Sequence, residues 1–343
     1  MTSDGSLNIA RQAILVIHPG ALGDVLLARP VLRTFRNQFP QHELALLAGE
    51  SVGVLLRNVG EVDRVFPLES KHMSELYAGV DGLHPTFRSW LGMCTIAVGW
   101  LQDTEGTIAS TLRASGVQSA CLKSSQSSDI LAEHQSVRYF EALGLQGDGE
   151  VTGNGLILPP IVCDRGQQIL RTLKWHNQRP LVVIHPGSGS ARKCVAAWRL
   201  ARVIEWLFQA GMIPMLLEGP ADTGLVAQVL ANVMIPVPVI RDLDLSTAAG
   251  VLSHAELYLG HDSGMTHLAA ALSIPTVACF GPTNPRRWGP LGRSVSIVLG
   301  APCTCVMVED CRDRVCLQIA LDRIIDACRS LLVRRSTFPP TNS

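Results

Sequence analysis

The sequence of 343 residues is poor in aromatic side chains and carries no net charge. Phe, Trp and Tyr make up 5% of the chain, and 29 Lys and Arg residues balance 29 Asp and Glu residues. Proteins that bind nucleic acid usually have a basic excess that neutralises phosphates, and many have aromatic side chains that stack on bases. The composition therefore argues against nucleic acid as a partner and against strong electrostatic attachment to anionic lipid.

Long apolar runs are also missing. Hydrophobic residues make up 47% of the chain, yet no window of about 18 uninterrupted apolar residues predicts a transmembrane helix. The first twelve residues, MTSDGSLNIARQ, are polar and lack the apolar region of a secretory signal. We expect a disordered lead-in at 1–12, a frayed tail at 334–343 and a cytoplasmic protein.

Ten cysteines are present, but they do not follow the paired C-x2-C spacing of zinc knuckles. Four of them form the pattern Cys303-x-Cys305-x5-Cys311-x4-Cys316 without an interleaved histidine. In a cytosolic chain of this size we expect reduced thiols. We predict no metal and no cofactor, with a metal bound by these four cysteines as the alternative.

Apolar strands alternate with helical patterns along the whole chain. Strands are predicted at 13–18, 43–48, 64–67, 96–100, 117–122, 181–185, 213–217, 237–240, 256–260 and 274–280. Helices are predicted at 23–39, 52–59, 104–115, 129–143, 164–177, 197–209, 222–233, 245–253, 265–272 and 315–333. This alternation indicates an α/β protein with two doubly wound parallel sheets. The Gly-rich stretch 144–160 divides the chain into domains at 13–160 and 161–333, whose strand ends would face a shared cleft.

One five-residue string occurs twice, each time at the end of a predicted strand. Val-Ile-His-Pro-Gly spans residues 16–20 and again residues 183–187. Both copies turn through Pro-Gly towards a helical pattern, which indicates that the two domains are built alike. A chance repeat is the alternative, because Pro-Gly after a strand is common turn chemistry.

The segment LYLGHDSGMTHLAAALSIPTVACFGPTNP at 257–285 predicts a phosphate site. It reads as a strand, a tight polar loop, a helix, a second strand and a rigid turn. A polar loop that opens a helix presents unpaired N–H groups and the positive end of the helix dipole. Asp262, Thr266 and His267 add side chains at the same helix start. We therefore predict a phosphorylated ligand at the carboxyl end of a parallel sheet.

Three motifs together resemble glycosyltransferase family 9, the lipopolysaccharide heptosyltransferases and their relatives. They are HPGALGDVLLARPVLRTFRNQFP at 18–40, IHPGSGSARK at 184–193 followed by MLLEGPAD at 215–222, and LYLGHDSGMTHLAAALSIPTVACFGPTNPRRWGP at 257–290. The resemblance covers nearly the whole chain. It implies a GT-B fold of two Rossmann-like domains, with the acceptor bound by the first and a nucleotide-diphosphate sugar by the second. In characterised members that donor is ADP-heptose, the reaction inverts the anomeric carbon, and no metal ion is required.

The resemblance also implies roles for individual residues. Asp24 would be the general base that deprotonates the acceptor hydroxyl, and Lys193 would stabilise the charge that develops on the leaving diphosphate. The alternatives are a carboxylate that only complements the helix dipole and a solvated loop lysine. The donor-binding residues would be Ser188, Gly189, Ser190, Asp222, Asp262, Ser263, Gly264, Met265, Thr266 and His267, and Gly20 and Gly23 would form the acceptor-side loop. Within this set Asp222 is expected at a ribose hydroxyl, Asp262 could be an N-cap, and His267 could equally be a core histidine.

One departure from the family pattern leaves other functions open. The family usually follows this Lys with Arg or His, then Trp and Pro, whereas Cys194-Val195-Ala196 follows here. A nonenzymatic nucleotide-sugar-binding relative is one alternative, and another GT-B-like enzyme such as a nucleotide-sugar 2-epimerase is a second. A dinucleotide dehydrogenase is not favoured, because no G-x-G-x-x-G opens a helix after a strand.

The expected acceptor is a lipopolysaccharide core or another lipid-linked cell-envelope glycan. Such an acceptor would bring the protein into peripheral contact with the inner face of the cytoplasmic membrane. We expect acceptor specificity to come from residues 71–89 and from neighbouring loops of the first domain. The stretch HMSELYAGVDGLHPTFRSW at 72–90 could be a mobile acceptor loop.

Overall fold

The computed structural model describes residues 12–125, 133–146, 155–302 and 315–337. The predictions for 1–11, for the tail from 338 onwards and for Cys303, Cys305 and Cys311 lie outside these residues. The described chain divides into two compact units. The first comprises 12–20, 28–125 and 136–146, and the second comprises 21–27, 133–135, 155–302 and 315–337. Each contains one parallel sheet with helices, as predicted.

The first unit contains a five-stranded parallel sheet. Its strands are β1 (Ala13–Ile17), β2 (Glu43–Ala48), β3 (Arg64–Pro67), β4 (Cys94–Gly99) and β5 (Ser119–Leu122), in the order β3-β2-β1-β4-β5. Every residue of β1 is buried, which is typical of a central strand covered on both faces. The strand order reverses between β1 and β4, so this is the topological switch point of the sheet.

The predicted helix 23–39 is in fact two helices, α1 (Leu22–Leu27) and α2 (Arg29–Gln38). Pro30 lies in the first turn of α2, where its missing N–H removes no helical hydrogen bond. In one continuous helix the Pro30 ring would clash with the carbonyl of Leu26. By its contacts α1 belongs to the second unit, whereas α2 belongs to the first.

Residues 71–89 are helical and do not form the expected loop. After α3 (Glu50–Asn58) and β3, the chain continues through α4 (His72–Ala78), a 3-10 turn and α5 (Pro85–Leu91) before β4. Leu76 and Phe87 are buried in the core of the first unit, where Phe87 packs on Phe66 with ring centroids 4.8 Å apart. This apolar packing makes the segment a crossover between parallel strands. The other described helices of the unit are α6 (Thr107–Ala114) and, apart from its first residue, α7 (Gln135–Ala142).

The second unit contains a six-stranded parallel sheet. Its strands are β6 (Leu181–Ile184), β7 (Ile213–Leu217), β8 (Val239–Ile240), β9 (Ala255–His261), β10 (Thr276–Phe280) and β11 (Val295–Leu299), in the order β11-β10-β9-β6-β7-β8. The order reverses between β6 and β9, which pair in parallel. Strand β11 was not predicted; it is an edge strand on which Ile297 and Leu299 are exposed.

Besides α1, the described residues of the second unit form seven α-helices: α8 (Pro160–Thr172), α9 (Ala197–Gln209), α10 (Thr223–Leu230), α11 (Leu245–Leu252), α12 (Gly264–Ala271), α13 (Pro285–Trp288) and α14 (Leu321–Thr337). The described residues just before α8, from 155 onwards, also belong to this unit. There the Leu156 N–H donates to the Ala271 carbonyl at 2.6 Å. Helix α14 continues through 334–337, which were expected to be frayed. Within the described ranges, no helix combines the length and apolarity that membrane spanning requires.

Candidate active site

The two loops that follow β6 and β9 lie side by side at the switch point of the second sheet. The Val195 N–H donates to His261 Nε2 at 3.1 Å, and the Ser188 hydroxyl donates to the Asp262 carbonyl. These bonds join residues that are more than sixty positions apart in the sequence. The second and third sequence motifs are therefore parts of one site, located where open α/β sheets bind their ligands.

Helix α12 begins at this site with Ser263 as its N-cap. Ser263 has extended backbone angles, and its hydroxyl accepts from the Thr266 N–H at 3.4 Å. The Thr266 hydroxyl in turn donates to the His261 carbonyl at 2.5 Å. Asp262 is therefore not the N-cap that the sequence allowed. The N–H groups of the first turn, from Gly264 and Met265 onwards, lie at the positive end of the helix dipole.

Asp262 instead pairs with Lys193. The Lys193 ammonium lies 2.7 Å from Asp262 Oδ2, and their side chains are 25% and 10% exposed. Lys193 closes a 3-10 turn, Ala191–Lys193, whose N-cap Ser190 accepts from the Arg192 N–H at 3.2 Å. The loop residue Gly189 between the two serines is exposed. The hydroxyls of Ser188 and Ser190 thus shape the loop that presents the lysine.

Asp24 lies at the same place, because α1 packs against α12. It is the third residue of α1, and its Oδ2 accepts from the Ala21 N–H at 3.1 Å. Burial raises the pKa of Asp24, the charge of Asp262 raises it further, and the hydrogen bond from Ala21 and the charge of Lys193 oppose the rise. The structure therefore brings Asp24, Lys193 and Asp262 into one electrostatic environment.

His267 is buried in α12 against α1. Its Nδ1 atom finds no hydrogen-bond partner among the described residues, and its ring packs against the backbone of Gly23. Burial lowers the pKa of His267 to about 4, an effect that the charge of Asp262 partly offsets. His267 is therefore a neutral imidazole at neutral pH.

Asp222, predicted at a ribose hydroxyl, is 5% exposed and forms hydrogen bonds within the protein. Its Oδ2 lies 2.9 Å from His185 Nε2 and accepts from the Gly219 N–H at 2.9 Å. Burial disfavours the charged form, but the hydrogen bond and charge of His185 outweigh it and lower the pKa of Asp222. The role of His185 is not predicted from the sequence, although His185 lies in the repeated Val-Ile-His-Pro-Gly string.

The two glycines predicted for the acceptor side fall in different units. Gly20 belongs to the first unit, where its N–H donates to His18 Nδ1 at 3.1 Å. The His18 ring is buried between Trp100 and Tyr139, with both ring centroids 5.1 Å away. Gly23 belongs to the second unit and contacts α12. Trp100 follows β4 at the switch point of the first sheet, and its pairing with His18 left no signal in the sequence.

The described part of the chain offers no group of three or more His, Cys, Asp and Glu side chains arranged to hold a metal ion. The seven cysteines within it form no disulfide with one another. Cys316, one of the four clustered cysteines of the sequence, is buried.

A sequence model of glycosyltransferase family 9 (heptosyltransferase) matches residues 161–315. Lipopolysaccharide heptosyltransferase 3 of Escherichia coli is 23% identical over 296 residues, which cover 78% of this chain and 83% of that protein. Lipopolysaccharide heptosyltransferase 1 of Pseudomonas aeruginosa is 43% identical over 75 residues, which cover 21% of each protein. Residues 161–315 of the chain belong to glycosyltransferase family 9.

The fold agrees with that membership. The structure of E. coli ADP-heptose lps heptosyltransferase II superposes with a TM-score of 0.69 at 18% identity, covering 95% of this chain and 100% of that one. This superposition confirms the predicted GT-B fold. The family model and the heptosyltransferase relatives confirm the predicted family and the enzyme class, a glycosyltransferase.

The stretch that departs from the family pattern is packed into the second unit. Cys194 and Val195, which follow Lys193, are 5% and 4% exposed. Val195 packs in the core of the second unit, and its N–H anchors the loop on His261. A cavity of about 440 Å³ lies beside this stretch, with Leu225 and Leu317 on its other walls. Cys194 and Val195 therefore attach Lys193 to the core, and the small side chains of this stretch leave a cavity next to it.

Proposed function

We propose that this family 9 glycosyltransferase transfers heptose from ADP-heptose, with inversion, to a lipopolysaccharide core or another cell-envelope glycan. The observation that carries the proposal is the gathering of Asp24, Lys193 and the N-terminus of α12 within one compact unit. These parts supply a base, a cation and an anion site, which are the groups that transfer from a nucleotide-diphosphate sugar needs.

The donor diphosphate binds at the start of α12. Backbone N–H groups of the first turn and the helix dipole favour a phosphate there, and the nearby ammonium of Lys193 adds a positive charge. The residues of this site are Ser188, Gly189, Ser190, Lys193 and 262–267, with Asp222 proposed for the ribose. The E. coli relative, whose name includes ADP-heptose, supports ADP as the nucleotide.

Transfer is a single displacement at the anomeric carbon. The acceptor oxygen attacks the face opposite the diphosphate, the bond from the anomeric carbon to the diphosphate oxygen breaks, and its electron pair leaves with ADP. The proton of the acceptor hydroxyl goes to the Asp24 carboxylate, for which a raised pKa is favourable in a base. Lys193 and the α12 N-terminus stabilise the negative charge that develops on the diphosphate. One displacement inverts the anomeric configuration.

Acceptor recognition is assigned to the first domain, 13–160, and donor recognition to the second, 161–333. The relatives named above are lipopolysaccharide heptosyltransferases, which supports a glycan of the cell envelope as the acceptor. We place the reaction in the cytoplasm, at the inner face of the membrane where a lipid-linked acceptor would be presented.

Calorimetric titration without metal tests the nucleotide. We expect ADP to bind more tightly than UDP or GDP. A preference for UDP or GDP would contradict ADP-heptose as the donor, and absence of binding by all three would favour the nonenzymatic relative.

A transfer assay tests the reaction. ADP-heptose is incubated with truncated lipopolysaccharide cores, the product is detected by mass spectrometry, and its anomeric configuration is read by NMR. We expect a heptose-extended core of inverted configuration. Conversion of the sugar nucleotide without any acceptor would instead support an epimerase.

A further inference from the structure

Helices α1 and α12 approach each other through two glycines. A carbon added at the Cβ position of Gly23 would lie 2.9 Å from Cδ2 of His267, and one added at Gly264 would lie 2.8 Å from Cβ of Leu22. Each helix thus supplies one glycine and one side chain that occupies the space opposite. Neither glycine has a positive φ. Glycine is therefore required at both positions because a side chain would not fit between the helices. An unusual backbone conformation is not the reason.

The position of α1 depends on this contact. The helix has six residues, which is too few for a stable isolated helix. The flanking residues 20 and 28 belong to the first unit, whereas α1 itself belongs to the second. Packing on α12 must therefore fix where α1 lies, and with it the residue that follows Gly23.

We infer that Gly23 and Gly264 are positioning residues for sugar transfer, because their close contacts hold Asp24 at a fixed place beside the first turn of α12. The inference rests on the proposed role of Asp24 as the base. In this role the glycines set the distance between the base and the diphosphate, and they do so inside one compact unit. This task is separate from binding the donor or the acceptor. A base must lie within hydrogen-bond reach of its proton, and functional groups have to be held to within about 0.5 Å.

The variant Gly23→Ala tests the inference in the full-length protein. The added methyl group meets the buried ring of His267, so α1 must shift. A displacement of about 1 Å can cost about a hundredfold in rate, and we expect kcat to fall about 10- to 100-fold. ADP affinity should stay within about twofold, because the N–H groups of α12 and Lys193 are unchanged.

A pH profile separates positioning from packing alone. Asp24 is faced by Asp262 and Lys193, and the neutral ring of His267 lies against the preceding residue. Burial is the main cause of the raised pKa of Asp24. A shifted α1 exposes the carboxyl group to water, so the acidic limb of the kcat profile should move to lower pH in Gly23→Ala. A loss of packing without a change at Asp24 would leave that limb in place.

Removing the opposing ring provides a rescue. In a His267→Ala background, which has its own defect, the methyl group of Gly23→Ala finds open space. In that background Gly23→Ala should lower kcat by less than about threefold, because the substitutions at 23 and 267 are coupled through one contact. Gly224→Ala is the matched control: Gly224 lies in α10 with no atom within 4 Å of an added carbon, and its kcat should equal that of the wild type.

Two results would overturn the inference while the proposed function stands: a wild-type kcat in Gly23→Ala, or an equal loss in both backgrounds. Loss of ADP binding in Gly23→Ala would overturn it as well, because the defect would then lie in the donor site. A wild-type protein that binds ADP but transfers no heptose would instead contradict the proposed function, and the positioning role would fall with it.

Discussion

The Lys193 ammonium and the Asp262 carboxylate are 2.7 Å apart, although the two residues are 69 positions apart in the sequence. Lys193 lies in the loop after β6, and Asp262 directly follows β9, so the pair joins the two strands of the switch point. Asp262 holds the lysine beside the start of α12. A bound diphosphate carries more negative charge than one carboxylate and would share the lysine with it.

Replacing Lys193 should weaken both binding and transfer. We expect Lys193→Ala to reduce ADP affinity about tenfold and kcat by about 10²- to 10³-fold, the usual loss when one group that stabilises transition-state charge is removed. Calorimetry and the heptose-transfer assay measure the two effects. Lys174→Asn is the control: Lys174 is exposed and has φ 63, which asparagine tolerates. Wild-type behaviour of Lys193→Ala would make Lys193 an ordinary solvated loop residue.

The amide variant of Asp24 separates its chemistry from its hydrogen bond. Asp24→Asn keeps an oxygen that can accept from the Ala21 N–H but removes the base. We expect transfer to fall about 10²- to 10⁴-fold with ADP affinity unchanged. Asp24→Ala should also lose about 1 kcal/mol of stability with the hydrogen bond. If Asp24→Asn transferred heptose at the wild-type rate, the carboxylate would serve only to cap α1.

The pH dependence of transfer should reflect the raised pKa of Asp24. Transfer requires the carboxylate, so kcat/KM should fall as the pH decreases through a pKa above the ordinary aspartate value of about 3.9. Because folding raises this pKa, the folded state binds the proton more tightly than the unfolded state. The contribution of Asp24 to stability therefore falls as the pH rises from the unfolded pKa through the folded one. Rate profiles and urea unfolding of the wild type and Asp24→Asn test both signs; an acidic limb retained in Asp24→Asn would assign it to another group.

Asp222 should matter for stability more than its predicted ribose contact implies. Asp222→Ala leaves the Gly219 N–H and His185 without their acceptor, and we expect the free energy of unfolding to fall by about 1–3 kcal/mol in urea. In the wild type this contribution is lost as the pH falls through the lowered pKa of Asp222. Asp326→Ala breaks an exposed ion pair with Arg329 and should change stability by less than about 1 kcal/mol.

The ribose contact has its own test. If Asp222 binds a ribose hydroxyl, the wild type should prefer ADP to 2′-deoxy-ADP or 3′-deoxy-ADP, and the preference should disappear in Asp222→Asn. An equal preference in both proteins would leave Asp222 with only its bonds to His185 and Gly219.

The contact between α8 and α11 should not tolerate a methyl group. A carbon added at Gly250 would lie 2.2 Å from the Val162 carbonyl oxygen, and one added at Gly166 would lie 2.1 Å from the carbonyl carbon of Gly250. We expect Gly250→Ala to lower the free energy of unfolding by about 1–3 kcal/mol through overpacking. Gly224→Ala, in open space, should raise it by about 0.5–1 kcal/mol. Equal stability of the two variants in urea would contradict this packing.

The sequence predicts elements best where an apolar run is bounded on both sides. β2, β3, β7 and α9 have the predicted bounds. The largely buried strands β2 and β7, for example, end where Gly49 and Glu218 follow. Prediction from the sequence fails where an element packs against residues that are remote in the chain, or where its own apolar pattern is weak. Segment 71–89 is helical because Leu76 and Phe87 find a core that the local sequence does not reveal, and β11 is a half-exposed edge strand.

For the site, local signals identify the parts and tertiary structure supplies the pairings. The loop and helix at 261–271 are readable because a polar turn, an N-cap and a helix follow one another in the chain. The partners of Asp222 and Asp262 are not readable, because each comes from a different loop. The same holds for α1, whose grouping with the second unit depends on glycines at 23 and 264.

The docking of α1 on α12 also determines when, during synthesis, the site becomes complete. The last strand of the first sheet ends at Leu122, so that sheet can form while the rest of the chain is still being translated. Helix α1 emerges from the ribosome among the first residues, but its docking surface, Gly264–Ala271, follows more than 230 residues later. Contacts of such high sequence separation form slowly, since the entropy of loop closure is lost before the contact stabilises the chain. Assembly of Asp24 with the start of α12 is thus a late step, and a nascent chain that ends before Gly264 carries the base without the surface that positions it.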